Sequence, residues 1–206
     1  MALPGESTAI TAASSTGEGV DSEPPQGLSV GLTLDVVVEA GDWSGVGSGV
    51  GSGGHSGALA LEALVAGAAR AIAADADVAA QFGGNLEACV AFTGDAEVRR
   101  LNAQYRGQDK ATNVLSFAAG PQPVMPGATV QSRFLGDIVL AAETIASEAA
   151  ALGIPMAHHV QHLVVHGVLH LMGLDHETDA EAQRMEARES LILASLGIAD
   201  PYSPND

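Results

Sequence analysis

Between residues 32 and 40 the chain reads LTLDVVVEA, in which Leu32, Leu34, Val36 and Val38 alternate with Thr33, Asp35 and Glu39. A period of two places the apolar side chains on one face of a strand. The pattern then lengthens. Residues 58–76 are Ala-rich with helical spacing, 87–92 form a second strand pattern, and 95–105 predict a helix whose first turn carries Asp95, where negative charge is favoured. Two short apolar runs, VLSF at 114–117 and FLGDIVL at 134–140, predict further strands. The segment between them, AAGPQPVMPGATVQSR, is a long Pro/Gly-rich loop, and loops of that length in a compact domain often carry function. A helix over 142–152 stops at Gly153, and Pro155 suits the first turn of the next one. From Pro155 to Met172, Val160, Leu163, Val164, Val168, Leu169 and Leu171 cover most of a helical circumference, which predicts a central, buried helix. Thr178 and Glu181 form a capping box that opens the last helix, which ends before Gly197. Four strands interleaved with five helices predict one layered α/β (α+β) domain over residues 29–198.

The segments outside this pattern are polar and small. Residues 1–28 cannot bury enough apolar surface to offset ordering and are expected to be a disordered extension. The Gly/Ser run at 45–57 is expected to be a flexible surface insertion, and 199–206 a flexible tail. Gly49, Gly51 and Gly54 have G-x-G-x-x-G spacing, with Asp75 about twenty residues on. They do not follow the strand directly, and so glycine-rich a run matches by chance; no dinucleotide site is expected.

Composition narrows the class. With 47% hydrophobic residues and a mean hydropathy of +0.21, the 206-residue chain is globular. Cys89 is the single cysteine, so no intrachain disulfide forms and a reducing compartment is expected. The first 28 residues hold no Lys or Arg, unlike a secretory or transit leader, and the apolar stretch 58–74 is interrupted by Glu62 and Arg70. The expectation is a cytoplasmic protein with no membrane partner. The net charge of −17 argues against non-specific wrapping of nucleic acid.

Chemistry concentrates in HGVLHLMGLDH, residues 166–176. His166 and His170 are four apart and share a helix face; Gly173 can end the helix in a left-handed conformation and turn His176 back towards them. Three imidazoles with an open fourth position are the ligand count of a catalytic Zn²⁺ site. His162 would lie about 12 Å along the axis from His170, too far to share one ion. It fits a supporting position, and His158 and His159 fit structural or exposed ones. The spacing is similar to that of the metzincin peptidases, except that Gly167 stands where they carry a glutamate base. That glycine suits close packing or substrate approach, and Met185 suits the core rather than a metal-facing turn.

With LNAQYRGQDKATNVLSF at 101–117 and LGDIVLA at 135–141, the histidine segment resembles the YbeY family of metal-dependent endoribonucleases, also called rRNA maturation factors. The resemblance implies a mixed four-stranded sheet packed by helices, with His166, His170 and His176 as metal ligands and Arg106 important for activity. It implies single-strand-specific RNA cleavage in ribosomal RNA 3′-end maturation and ribosome quality control, with the small ribosomal subunit as partner. Arg106 suits bidentate pairing with phosphate. Asp175 is a candidate to orient a ligand imidazole or accept a proton. Ser116 and Asn113 are candidates to line the groove, with strand-end hydrogen bonding as the alternative, and Asp137 is equally ambiguous. Arg99, Arg100, Arg106, Lys110 and Arg133 are expected to form a positive strip beside the metal, against the alternative of an ordinary solvated face. Two other readings stay open: a zinc hydrolase of peptides or amides, which lacks its base at Gly167, and a non-catalytic ribosome-assembly factor.

Overall fold

The computed structural model describes residues 30–47, 54–82, 84–120, 132–176 and 178–203. In chain order these form β1 (Val30–Val38), α1 (Gly54–Ala74), α2 (Ala76–Phe82), β2 (Gly84–Thr93), α3 (Asp95–Arg106), β3 (Val114–Ala118), β4 (Arg133–Ala141), α4 (Ala142–Leu152), α5 (Met156–Leu171) and α6 (Asp179–Ser195). The strands make one mixed sheet in the order β1-β2-β4-β3, with β1 parallel to β2, β2 parallel to β4, and β3 antiparallel to β4.

Strand β4 is central and apolar on both faces. Leu135, Ile138 and Leu140 enter the main core with α1, α5 and α6, while Val139 and Ala141 join Val98 and Leu115 in a smaller core under α3. Its register slips between Glu87 and Ala88, where Leu135 has no partner on β2. Gly136 sits at this bulge with φ +140, and a Cβ there would meet the Phe117 carbonyl oxygen at 2.1 Å. Only glycine permits β3 and β4 to approach there.

The predicted central helix is α5. Val160, Val164, Val165, Val168 and Leu169 are fully buried, each such side chain contributing about 1.5–3 kcal/mol on leaving water. It packs against α1, α4, α6, β3 and β4. Gly167 lies on its sheet-facing side, where a Cβ would meet Ile138 Cδ1 and Cγ2 at 3.0 Å. The glycine therefore serves close packing, and a glutamate side chain at that position would point into the core.

The described residues add detail to the sequence pattern. Six α-helices occur among the described residues, because the first predicted helix is followed by a separate short one. Asp75 ends the first: its Oδ1 accepts the N–H groups of Asp77 (3.1 Å) and Val78 (3.0 Å), capping a separate α2. Of the expected insertion at 45–57, Gly45 and Val46 belong to a 3₁₀ turn over Ser44–Val46, and residues 54–57 begin α1. The reason is Trp43, 4% exposed, which donates to the Ala40 carbonyl at 2.8 Å and packs edge-on against Phe92. Residues 48–53 and the expected extension at 1–28 lie outside the described residues. The expected tail is tied down through residue 203: Asp200 accepts from Ser190 Oγ (2.8 Å), the Tyr202 N–H (3.0 Å) and Ser203 Oγ (2.9 Å). By length and composition, Gly57–Ala74 of α1 is apolar enough to cross a membrane. In the fold, its Leu61, Val65, Ala68 and Ile72 are buried in the main core.

Candidate metal centre

The last turns of α5 carry His166 and His170, whose ring centroids are 4.5 Å apart. The helix ends in a Schellman arrangement: the Leu174 N–H donates to the Leu169 carbonyl at 3.0 Å, and Gly173 takes φ +89. This reversal brings the His176 ring to 5.0 Å from His170 and 6.0 Å from His166. One nitrogen from each ring lies within 4.8 Å of the others. A tetrahedral ion with bonds of about 2.1 Å holds its ligand atoms about 3.4 Å apart, so modest ring rotations suffice for these residues to hold one. The donor set also suits a cation chemically. Burial, followed by the charges of His166 and His176, holds His170 below the ordinary imidazole value and keeps its lone pair available.

The three rings open into a cavity of about 430 Å³ whose lining includes Arg106, Ser116 and Asp175. On β3, Val114, Ser116 and Ala118 face this cavity, while Leu115 and Phe117 face α3. Arg106 is the last residue of α3, which stops at Gly107 in the left-handed conformation. The following loop is pinned by Asn102, which donates from Nδ2 to the Lys110 carbonyl (2.8 Å) and accepts from the Gln108 N–H (3.2 Å). Among the described residues Arg106 forms no ion pair. It lines the cavity beside the histidines, where a guanidinium can meet an anion.

The other candidates separate. Asn113 Nδ2 donates to Glu148 at 2.9 Å, its Oδ1 accepts the Val114 N–H at 2.7 Å, and neither Asn113 nor Asp137 lines the cavity. His159 is buried against the same Glu148 at 2.8 Å, a structural position, and Met185 is buried in the core. Asp175 Oδ1 accepts the backbone N–H of His176 at 2.8 Å, so that oxygen braces the turn. The positive strip is not built as expected. Arg99 forks onto Asp109 (2.6 and 2.8 Å), and Arg100 onto Glu97 (2.6 and 2.8 Å). Arg133 lies over the Phe82 ring, and of the five basic residues only Arg106 lines the cavity.

Sequence reasoning missed Glu189 on α6. It is 0% exposed, and its Oε1 lies 2.7 Å from His166 Nδ1. Its Oε2 lies 3.1 Å from His162 Nε2 and accepts from the Tyr202 hydroxyl. Burial pushes the carboxyl up, but the hydrogen bonds from His162, His166 and Tyr202 outweigh it and bring it down to about 2. Burial and the neighbouring Glu189 charge push the Tyr202 phenol up, keeping it a donor. The available signal was a charged residue in an apolar stripe, since Met185, Glu189, Ile192 and Leu193 form the buried face of α6. His162 shares this carboxylate with His166.

Comparison with known proteins shows the family. Residues 58–197 match the family model described as Endoribonuclease YbeY. Proteins called Endoribonuclease YbeY are 53% identical over 141 residues in Rhodopseudomonas palustris (strain HaA2), covering 66% of this chain and 72% of that one, and 46% identical over 177 residues in Chelativorans sp. (strain BNC1), covering 85% and 96%. A solution structure from Thermotoga maritima aligns with 83% of this chain and 99% of its own, at 21% identity and a TM-score of 0.44.

Proposed function

The chain belongs to the endoribonuclease YbeY family, and from that premise we propose that it is a metal-dependent, single-strand-specific endoribonuclease. Its proposed task is ribosomal RNA 3′-end maturation and ribosome quality control in the cytoplasm, in contact with the small ribosomal subunit. The observation that carries the chemistry is the convergence of His166, His170 and His176 with Arg106, which has no ion pair among the described residues, on one cavity.

In this reading the three imidazoles would hold one divalent ion, with zinc favoured by the all-nitrogen donor set. Such an ion would supply Lewis-acid polarisation of a phosphoryl oxygen. Arg106 binds the scissile phosphate through its planar fork and stabilises the negative charge that grows on it. Asp175, with Oδ1 committed to the His176 N–H, presents Oδ2 to accept a proton from the attacking group. A cavity of about 430 Å³ suits a nucleotide-sized group, which fits a strand that can splay its bases.

A peptidase reading is disfavoured because Gly167 packs on Ile138, leaving no place for the usual glutamate base. The deciding experiment pairs metal analysis with cleavage of single- and double-stranded RNA by wild type, His170→Ala and Arg106→Ala. Wild type is expected to carry one ion and cut only the single strand. His170→Ala should lose both ion and activity, whereas Arg106→Ala should keep the ion and lose cleavage by about 100-fold or more. Metal-loaded wild type that leaves RNA intact would favour a non-catalytic assembly factor and overturn the proposal; cleavage by His170→Ala would equally count against it.

A further inference from the structure

Glu189 needs an explanation that packing does not supply. A carboxylate with no exposure loses its hydration and persists only when its oxygens are fully hydrogen-bonded. Here they are, and all three partners have a place in or beside the histidine cluster. Oε1 faces His166 Nδ1 at 2.7 Å, and Oε2 faces His162 Nε2 at 3.1 Å together with the Tyr202 hydroxyl. Because an ionised carboxylate only accepts, His166 must carry its hydrogen on Nδ1. Nε2 then carries the ring's lone pair, the one that a cation would take.

Tyr202 reaches Glu189 from outside α6. The chain leaves the helix at Gly197, and Asp200 folds the following turn back by accepting from Ser190 Oγ and the Tyr202 N–H. The Tyr202 ring stands edge-on to His162, with centroids 6.1 Å apart. It thereby adds a third donor to the buried carboxylate, from a segment that belongs to neither α5 nor α6.

We infer that Glu189 is a positioning residue of the histidine centre, and that Tyr202 holds Glu189 in place, so the segment after α6 is part of the site. This rests on the reading of the cluster as a metal site for its effect on affinity. Its core, the His166 tautomer, is independent of any ion.

The test has two readouts besides activity. In metal-free protein at mildly alkaline pH, long-range proton–nitrogen correlation spectra report which nitrogen of His166 is protonated. Wild type should show Nδ1–H, and Glu189→Gln a mixture, because the amide can accept from one partner only by turning its N–H₂ towards the other. Zinc affinity by chelator competition should then fall about 10–100-fold in Glu189→Gln, and by a smaller factor in Tyr202→Phe, which removes only a hydroxyl and tests the role even if the first variant does not fold. A merely structural Glu189 or Tyr202 would lower the urea midpoint while leaving tautomer and zinc affinity unchanged, and that result overturns the inference. Wild type that takes up no zinc sinks the metal reading instead, while an Nδ1–H tautomer lost in Glu189→Gln still upholds the positioning role.

Discussion

Replacing Gly167 by alanine adds one methyl group where α5 comes closest to the sheet. The new Cβ would lie 3.0 Å from Cδ1 and Cγ2 of Ile138 and 3.2 Å from its Cγ1. Carbon atoms attract best at about 3.5–4.0 Å, so all three contacts are repulsive. Ile138 is fully buried and β-branched, with few alternative rotamers; relief must come from displacing α5 against β4. Overpacking of this kind costs about 1–3 kcal/mol, against about 1 kcal/mol recovered by removing a helical glycine. The clash outweighs the propensity, and the net loss should be about 1 kcal/mol, a fall in Tm of about 2–4 °C for a domain of this size. Gly57→Ala is the control. Its Cβ would meet only the Trp43 carbonyl oxygen at 3.9 Å, so it should be neutral or stabilise by up to about 1 kcal/mol. Urea midpoints at constant m-value measure both. The decisive arm is the cycle with Ile138→Ala, which deletes the three opposing atoms and should turn Gly167→Ala into a stabilising change, with a coupling of about 1–3 kcal/mol. A Gly167→Ala protein more stable than wild type, or a coupling near zero, would refute the account of why glycine occupies that position.

Neutralising Arg99 and Arg100 to glutamine should change stability by no more than about 0.5 kcal/mol and leave the salt dependence of RNA cleavage as in wild type, because both guanidiniums are already paired at exposed sites. A shallower salt slope in that double variant would revive the positive strip. Acid should expose Glu189: its folded value of about 2 lies below the ordinary 4.5, so its contribution is complete above the ordinary value and is lost as pH falls through the folded one. Urea midpoints of wild type and Glu189→Gln should therefore converge between about pH 4.5 and 2, and a constant gap across that window would contradict the assignment.

Much of the fold was legible because its signals are local. The capping box at Thr178 forms with both hydrogen bonds, Gly153 and Gly173 reverse the chain in positive φ as their positions predicted, and the all-round apolar pattern of α5 marked the helix that the sheet and three other helices bury. Competing local signals hid the rest. Alanine periodicity runs through Asp75, so the break between α1 and α2 appears only once its carboxylate is seen accepting from Asp77 and Val78. The order in the Gly/Ser run around Val46 depends on Trp43 meeting Phe92 from another strand, a contact that no nearby residue announces.

The same distinction governs the candidate site. His166, His170 and His176 lie within eleven positions, and the geometry that gathers them is one helical turn plus one glycine reversal, both readable from spacing. Glu189 and Tyr202 are 23 and 36 positions beyond His166, and nothing periodic relates them to it. Asp175, adjacent to His176 in sequence, drew the supporting role, yet its Oδ1 turns to the backbone of its neighbour. Chain proximity favours such backbone bonds, because a short side chain reaches the next N–H at little entropic cost. To reach an imidazole from behind, a carboxylate must come from another element, at the height of that ring and out of solvent. A fully buried glutamate on the apolar face of α6 meets those conditions, and its charge in that stripe is the trace the requirement leaves in the sequence.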